Sequence, residues 1–280
     1  MIGLIKNNFR VPHYGPLSRK TSGFTLLELV LVIAILGIIS VGFIGFINIG
    51  SNVYKNVSSR DLLISDARFA VERLNRELRN ALPNSIRIID NNGDTQCLEF
   101  VPVLVNSIYL EIPIFPITAG TVDIVQPSID YTPTFNTKDR VVVYPISAHD
   151  AYDHANISKS VKLTTIDKDA TTRWTINLAE SDFSFEVESP NQRLFIVSQP
   201  VSYCVSAGEL RRSEGYGYNP APTIINGGVL MAEHIDLSEG YPFAFDAKLQ
   251  SDAIVQVNLK FTQNNESVFF SNGVHITNVP

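Results

Sequence analysis

The sequence predicts an α+β protein: a long N-terminal helix, membrane-spanning in its first half, whose second half packs on an antiparallel β-sheet head. Three observations carry this. Leu29 to Tyr54 is a run of 26 residues without a charge. Ile64, Ala67, Val71, Leu74, Leu78 and Ala81 then recur at spacings of 3 and 4, one face of a helix. From Leu98 onward the pattern changes to short apolar runs bounded by Pro, Gly, Asn and Asp, the mark of strands.

The 280 residues carry Lys+Arg 22 against Asp+Glu 28, a net charge of −6, with 45% hydrophobic residues and two cysteines. That balance excludes collagen-like, disulfide-dense and low-complexity classes and lacks the basic footprint of a nucleic-acid binder. Residues 1–23 depart from the average, with Lys6, Arg10, Arg19 and Lys20 and no acid. A spanning helix needs roughly 20 apolar residues, and the run after Glu28 is the one in the chain that qualifies. The basic residues before it place 1–23 in the cytoplasm and the C-terminal mass across the membrane.

A cleaved secretory signal fits this segment poorly, because its apolar core would span roughly 7 to 15 residues before a small-x-small site. Ser40-Val41-Gly42 imitates such a site only weakly, and the apolar run starts too early and continues past it. An uncleaved anchor explains the span but leaves Glu28 without a purpose. A carboxylate in a membrane helix is a functional hypothesis by default.

Lys20-Thr21-Ser22-Gly23-Phe24-Thr25-Leu26-Leu27-Glu28 supplies that purpose. It resembles the processing site of the type IV prepilin family: a basic leader ending in Gly, then Phe, then Glu as fifth residue of the mature chain. The resemblance implies cleavage by prepilin peptidase between Gly23 and Phe24 and N-methylation of Phe24. The new amine lies four residues before Glu28, so Glu28 of one subunit and Phe24 of a neighbour would offset each other's desolvation during assembly.

The family parallel divides the chain into a cytoplasmic leader (1–23), a transmembrane and assembly helix (24–49), an amphipathic helix continuing into the head (50–82) and a β-rich periplasmic head (83–280). Pro83 disfavours helix at Leu82 and ends the second segment. Arg68 with Glu72, Glu72 with Arg76, and Arg73 with Glu77 stand at i, i+4, each worth a few tenths of a kcal/mol. Gly37, Gly42, Gly45 and Gly50 interrupt the long helix, where close helix packing is the plain explanation; many type IV pilins carry a helix-breaking proline at the position of Gly45.

In the head, strands are expected at Leu98–Val101, Arg140–Tyr144, Trp174–Leu178, Phe183–Val187, Leu194–Val197, Val201–Val205 and Ile254–Thr262, with hairpins turning at Ala207-Gly208 and at Asn264-Asn265-Glu266. Residues 105–135, with Pro113, Pro116, Pro127 and Pro133, read as an irregular insertion or a rim of short strands. The segment 68–81 is similar to the helix end of minor pilins and of J-type pseudopilins of type II secretion. Together with Gln96–Pro102, Pro200–Cys204 and Val274–Pro280 it looks most like the minor pilins of mannose-sensitive haemagglutinin (MSHA) pilus biogenesis. The partners implied are the prepilin peptidase, other minor pilins and the major pilin, the inner-membrane assembly platform and inner-membrane lipid; the chain would reside in the bacterial inner membrane and then in the pilus, at a tip or base complex.

Cys97 and Cys204 permit one bridge in an oxidising compartment, with buried thiols as the alternative. His149-Asp150-Ala151-Tyr152-Asp153-His154 offers donors without a recognised ligand spacing and reads as a polar surface loop. No nucleophile elbow, phosphate loop or paired-carboxylate motif stands out. No catalytic residue, metal site or cofactor is expected. The rival readings are a J-type pseudopilin and, further away, a membrane-anchored enzyme or binding module.

Overall fold

The computed structural model describes residues 23–91, 94–127, 134–153, 157–168, 172–225, 227–238, 240–246, 253–264 and 266–276. Helix α1 spans Leu26–Arg79, and the chain divides into one unit ending at Tyr54 and a second beginning at Lys55. In the first unit α1 passes through Gly37, Gly42, Gly45 and Gly50 without interruption. Its apolar side chains from Leu26 to Ile49 are exposed throughout, and the helix is long and apolar enough to cross a membrane.

In the second unit the residues of α1 that become buried are Leu63, Ala67, Ala70, Val71, Leu74 and Leu78. The buried stripe is therefore rotated slightly from the expected one: Leu63 and Ala70 join it, and Ile64 is moved to its half-buried edge. Of the three i, i+4 pairs, Arg73 and Glu77 close at 3.0 Å; among the described residues the other two do not meet. The helix stops at Arg79, and Leu82, freed from helical geometry before Pro83, donates its N–H to Val101 O at 2.8 Å.

That stripe packs on a five-stranded antiparallel sheet with the spatial order Arg87–Asn91, Thr95–Phe100, Val201–Ser206, Glu209–Glu214, Val229–Ala232. Alternation along the strands sends Leu98, Phe100, Val201, Tyr203 and Val205 to the helix side. A three-stranded sheet, Phe243–Asp246, Ala253–Gln263 and Glu266–Ile276, contributes Phe243, Val255, Val257, Leu259 and Phe261 to the same core. Each of these side chains is worth roughly 1.5–3 kcal/mol when fully buried. Both expected hairpins form: Val205 pairs with Leu210 around Ala207 and Gly208, which take φ of 50° and 79°, and Gln263 pairs with Glu266 around Asn264. Asn265 lies outside the described residues.

The rest of the head departs from the expectation of one sheet. Six strands close into a barrel in the order Arg193–Val197, Val103–Glu111, Thr121–Val125, Arg173–Leu178, Ser160–Lys168, Arg140–Val143. The expected insertion at 105–135 thus supplies two barrel strands. Its prolines mislead because Pro113 and Pro116 occupy the connection and Pro127 follows the second strand, positions where no ladder hydrogen bond is lost. Val105, Tyr109, Ile124, Val141, Val143, Ile176 and Ile196 fill the barrel. Val142, Phe195 and Val197, on the opposite faces of the same strands, pack with Leu82, Val101 and Tyr152 and so join the barrel to the helix-bearing layer. The expected strand Phe183–Val187 shrinks to Ser184–Phe185, paired in parallel with Ile157–Ser158.

Candidate functional site

Of the expected leader, 1–23, residues 1–22 lie outside the described residues. Gly23, Phe24 and Thr25 are non-helical and exposed, with the Phe24 ring 77% accessible. Helix α1 begins immediately afterwards because Thr25 caps it: its Oγ1 accepts the Glu28 N–H at 3.3 Å, and its carbonyl accepts the N–H groups of Glu28 at 3.1 Å and Leu29 at 3.2 Å. Thr25-Leu26-Leu27-Glu28 is a capping-box spacing, a signal in the sequence that reasoning from Glu28 alone passes over. The cap leaves the Gly23–Phe24 peptide bond in open backbone one step outside the helix. Glu28 sits in the first turn, where the positive end of the helix dipole favours a carboxylate. A Cβ built on Gly37, Gly42, Gly45 or Gly50 meets nothing within 4 Å, so packing within the unit does not call for these glycines.

In the head, Cys97 and Cys204 are register partners on adjacent antiparallel strands and are joined by a disulfide, with Cα atoms 4.0 Å apart. Period-two alternation puts them on the sheet face turned away from α1, where Ile89 and Ile224 cover them.

The same face carries a buried polar cluster that hydrophobic patterning does not reveal. Glu99, almost fully buried, pairs with Arg87 and accepts a hydrogen bond from the Tyr216 hydroxyl at 2.7 Å. Arg87 donates onward to the carbonyls of Asn219 at 2.8 Å and Pro220 at 3.2 Å, and its guanidinium carbon lies 3.6 Å from the Tyr152 ring centre. Tyr218 donates to Ser198 O at 2.7 Å, and Arg140 stacks over its ring at 4.1 Å. Burial first, and then the Glu99 charge, pushes the Tyr216 phenol above its ordinary range; burial raises Tyr218 against the opposing pull of Arg140. Both phenols therefore stay protonated and serve as donors. The sequence signal is Gly215-Tyr216-Gly217-Tyr218, whose glycines adopt φ of 76° and 85°, turning the chain so that alternate tyrosines reach inward.

A second electrostatic hub ties α1 to the sheet. Glu77 accepts from Arg73 at 3.0 Å and from Arg212 Nε at 2.9 Å, and Arg212 also meets Glu214 at 2.6 Å. Two carboxylates hold the Arg212 guanidinium charged despite burial.

The expected polar loop at 149–154 is instead the short helix α2, Ala148–Tyr152. Asp150 caps it, accepting from the N–H groups of Ile146 at 2.8 Å and Ser147 at 2.9 Å, and it pairs with Lys159 at 3.1 Å. Tyr152 is fully buried because the helical turn carries its ring into the junction between barrel and sheet. His154 lies outside the described residues; among those described, no three His, Cys, Asp or Glu side chains gather as a metal site.

Residues 18–44 match the prokaryotic N-terminal methylation motif. No curated protein and no solved structure matches the chain. The motif, followed by one long apolar helix and antiparallel sheets, is the layout of a type IV pilin-like prepilin protein. The motif implies processing by prepilin peptidase and assembly with pilin partners in general. The motif and the apolar helix fit a membrane-anchored pilin.

Proposed function

We propose that the chain is a minor type IV pilin, similar to the MSHA biogenesis protein MshO, that is cut between Gly23 and Phe24, methylated on Phe24 and incorporated into, or used to prime, a mannose-sensitive haemagglutinin type pilus. The observation that carries the reading is the N-terminal methylation motif running without a break into a capped apolar helix. In this reading 1–23 is the cytoplasmic leader, 24–49 spans the inner membrane, 50–82 enters the head and 83–280 is the periplasmic head. The Phe24 amine of one subunit meets Glu28 of the next, and the contact sets axial register in an environment too apolar to leave either charge alone. The head contributes no chemistry of its own; its bulk, two β layers and a barrel, suits a tip or initiation complex better than a shaft repeated many times. Peptidase, other minor pilins, the major pilin and the assembly platform are its partners.

Intact and peptide mass spectrometry of the protein from its own membranes, with and without prepilin peptidase, tests this. A chain beginning at N-methyl-Phe24 only in the presence of the peptidase is expected; residues 1–23 retained in both strains overturn it. A second reading, a J-type pseudopilin of type II secretion, is favoured by the 68–81 helix end. Loss of surface pili in a deletion strain supports the first reading, and loss of exoprotein secretion with normal pili supports the second.

A further inference from the structure

A cavity of about 270 Å³ opens where the Gly215–Tyr218 segment crosses the barrel edge. Lys138, Arg140 and Lys162 line it with Gln199, Tyr216 and Tyr218, and among the described residues that line it none is acidic. Three cations line one pocket of a chain of net charge −6, and the carboxylates that act on Arg140, Glu180 and Asp153, are not among the residues lining it. Lys138 and Lys162 are exposed and Arg140 is buried, so an anion entering the pocket would meet two solvated cations and one desolvated one.

Two buried polar atoms belong to residues that line the cavity. Arg140 is 2% exposed; its Nη1 is used by Asp153 O at 2.9 Å and Ser160 Oγ at 3.4 Å, whereas its Nε–H has no hydrogen-bond partner. Gln199 Oε1 is also buried without a donor. Orphaned buried polar atoms are rare in native proteins and each calls for an explanation. Here one orphan is a donor beside positive charge and the other an acceptor, and both belong to residues lining the same cavity. Burial pulls the Arg140 pKa down against the upward pull of Tyr218, Glu180 and Asp153, and an anion in the pocket would add to that upward pull.

The adjoining cavity, about 460 Å³, supplies the contrast. It shares Gln199 and Gly215 but is lined by Glu77, Asp139 and Glu214, with Arg212 already engaged by two of these carboxylates. An anion is therefore drawn to one compartment of the groove and turned away from the other.

We propose that the Lys138–Arg140–Lys162 cavity binds a small hydroxylated organic anion, its carboxylate held by the three cations and its hydroxyl donated to Gln199. Tyr216 and Tyr218 form the floor, kept in place by their bonds to Glu99 and Ser198. The proposal does not depend on the pilin reading.

The test is isothermal titration calorimetry on the full chain in detergent, at constant ionic strength, with L-malate, succinate and inorganic phosphate as probes. Malate is expected to saturate at one site and to bind several-fold more tightly than succinate, which lacks the hydroxyl. Lys138→Gln/Lys162→Gln, both on exposed side chains, should weaken malate at least tenfold with the far-ultraviolet circular dichroism unchanged. Gln199→Leu should erase the preference for malate over succinate while leaving succinate affinity as it was. No saturable signal with any probe, or equal binding by the double lysine variant, overturns the proposal.

Discussion

Glu77 on α1 and Arg212 on the strand Glu209–Glu214 meet at 2.9 Å across 135 residues of chain. Arg212 is nearly buried, so its guanidinium depends on this carboxylate and on Glu214. Removing one partner of such a pair leaves an uncompensated charge; partial exposure reduces the full penalty to about 2 kcal/mol. Glu77→Ala should therefore lower the melting temperature of the head by about 4–8 °C. Adding Arg212→Met should recover part of that loss, since no charge is then stranded. Melts of both variants and the wild type check this, and an additive double variant would contradict coupling.

The disulfide closes a span of 107 residues. In the chain-entropy picture a loop of that size contributes roughly 4–5 kcal/mol, with measured values often lower. Cys97→Ser/Cys204→Ser should fold with a denaturation midpoint shifted by at least half of that energy, because the register between the two strands is held by flanking hydrogen bonds as well. Mass spectrometry under reducing and non-reducing conditions reads the bridge, and urea melts read its contribution.

Glu28→Val should leave cleavage after Gly23 intact and impair assembly. The cap at Thr25 uses the Glu28 backbone, not its carboxylate, so the helix start survives the change. A lost charge pair in an apolar setting is worth several kcal/mol, and 1.4 kcal/mol is already tenfold. Quantified surface assembly should fall more than tenfold while the mature N-terminus is unchanged; normal assembly would remove Glu28 from the mechanism.

Asp236 accepts the Ser238 N–H at 2.9 Å and faces Lys260 at 3.2 Å. Hydrogen bonds from Ser238, and then Lys260, lower its pKa from 3.8 to about 2. The folded value lies below the unfolded one, so the carboxylate's contribution is present above about pH 4 and lost as pH falls towards 2. Asp236→Asn should flatten that part of the stability-versus-pH curve, lowering stability slightly at neutral pH and converging on the wild type near pH 2.

Among the strands, those built of contiguous Val, Ile, Leu and Phe were legible: Arg140–Val143, Arg193–Val197 and Val201–Ser206 bury one or both faces, and their composition says so. Val103–Glu111 was hidden because its barrel exterior carries Ile108 and Leu110 at 50% and 56% exposure beside Asn106, while polar Ser107 stands on the face of Val105 and Tyr109, blurring the period-two signal. The buried cluster of Arg87, Glu99, Arg140, Tyr216 and Tyr218 was illegible for a different reason. Charged residues read as surface until a partner is known, and these partners are up to 133 residues apart.

By itself the sequence determined the N-terminal third: the N-terminal methylation motif, the apolar run, the amphipathic stripe and its stop before Pro83 all depend on neighbours within a few residues, and a helix is made of local bonds. The tertiary structure decided the rest. Closure of six strands into a barrel, the register that sets Cys97 against Cys204, and the gathering of three cations around one cavity are non-local pairings. Their free energy comes from segments brought together only after the chain has folded, and no window of adjacent residues contains it.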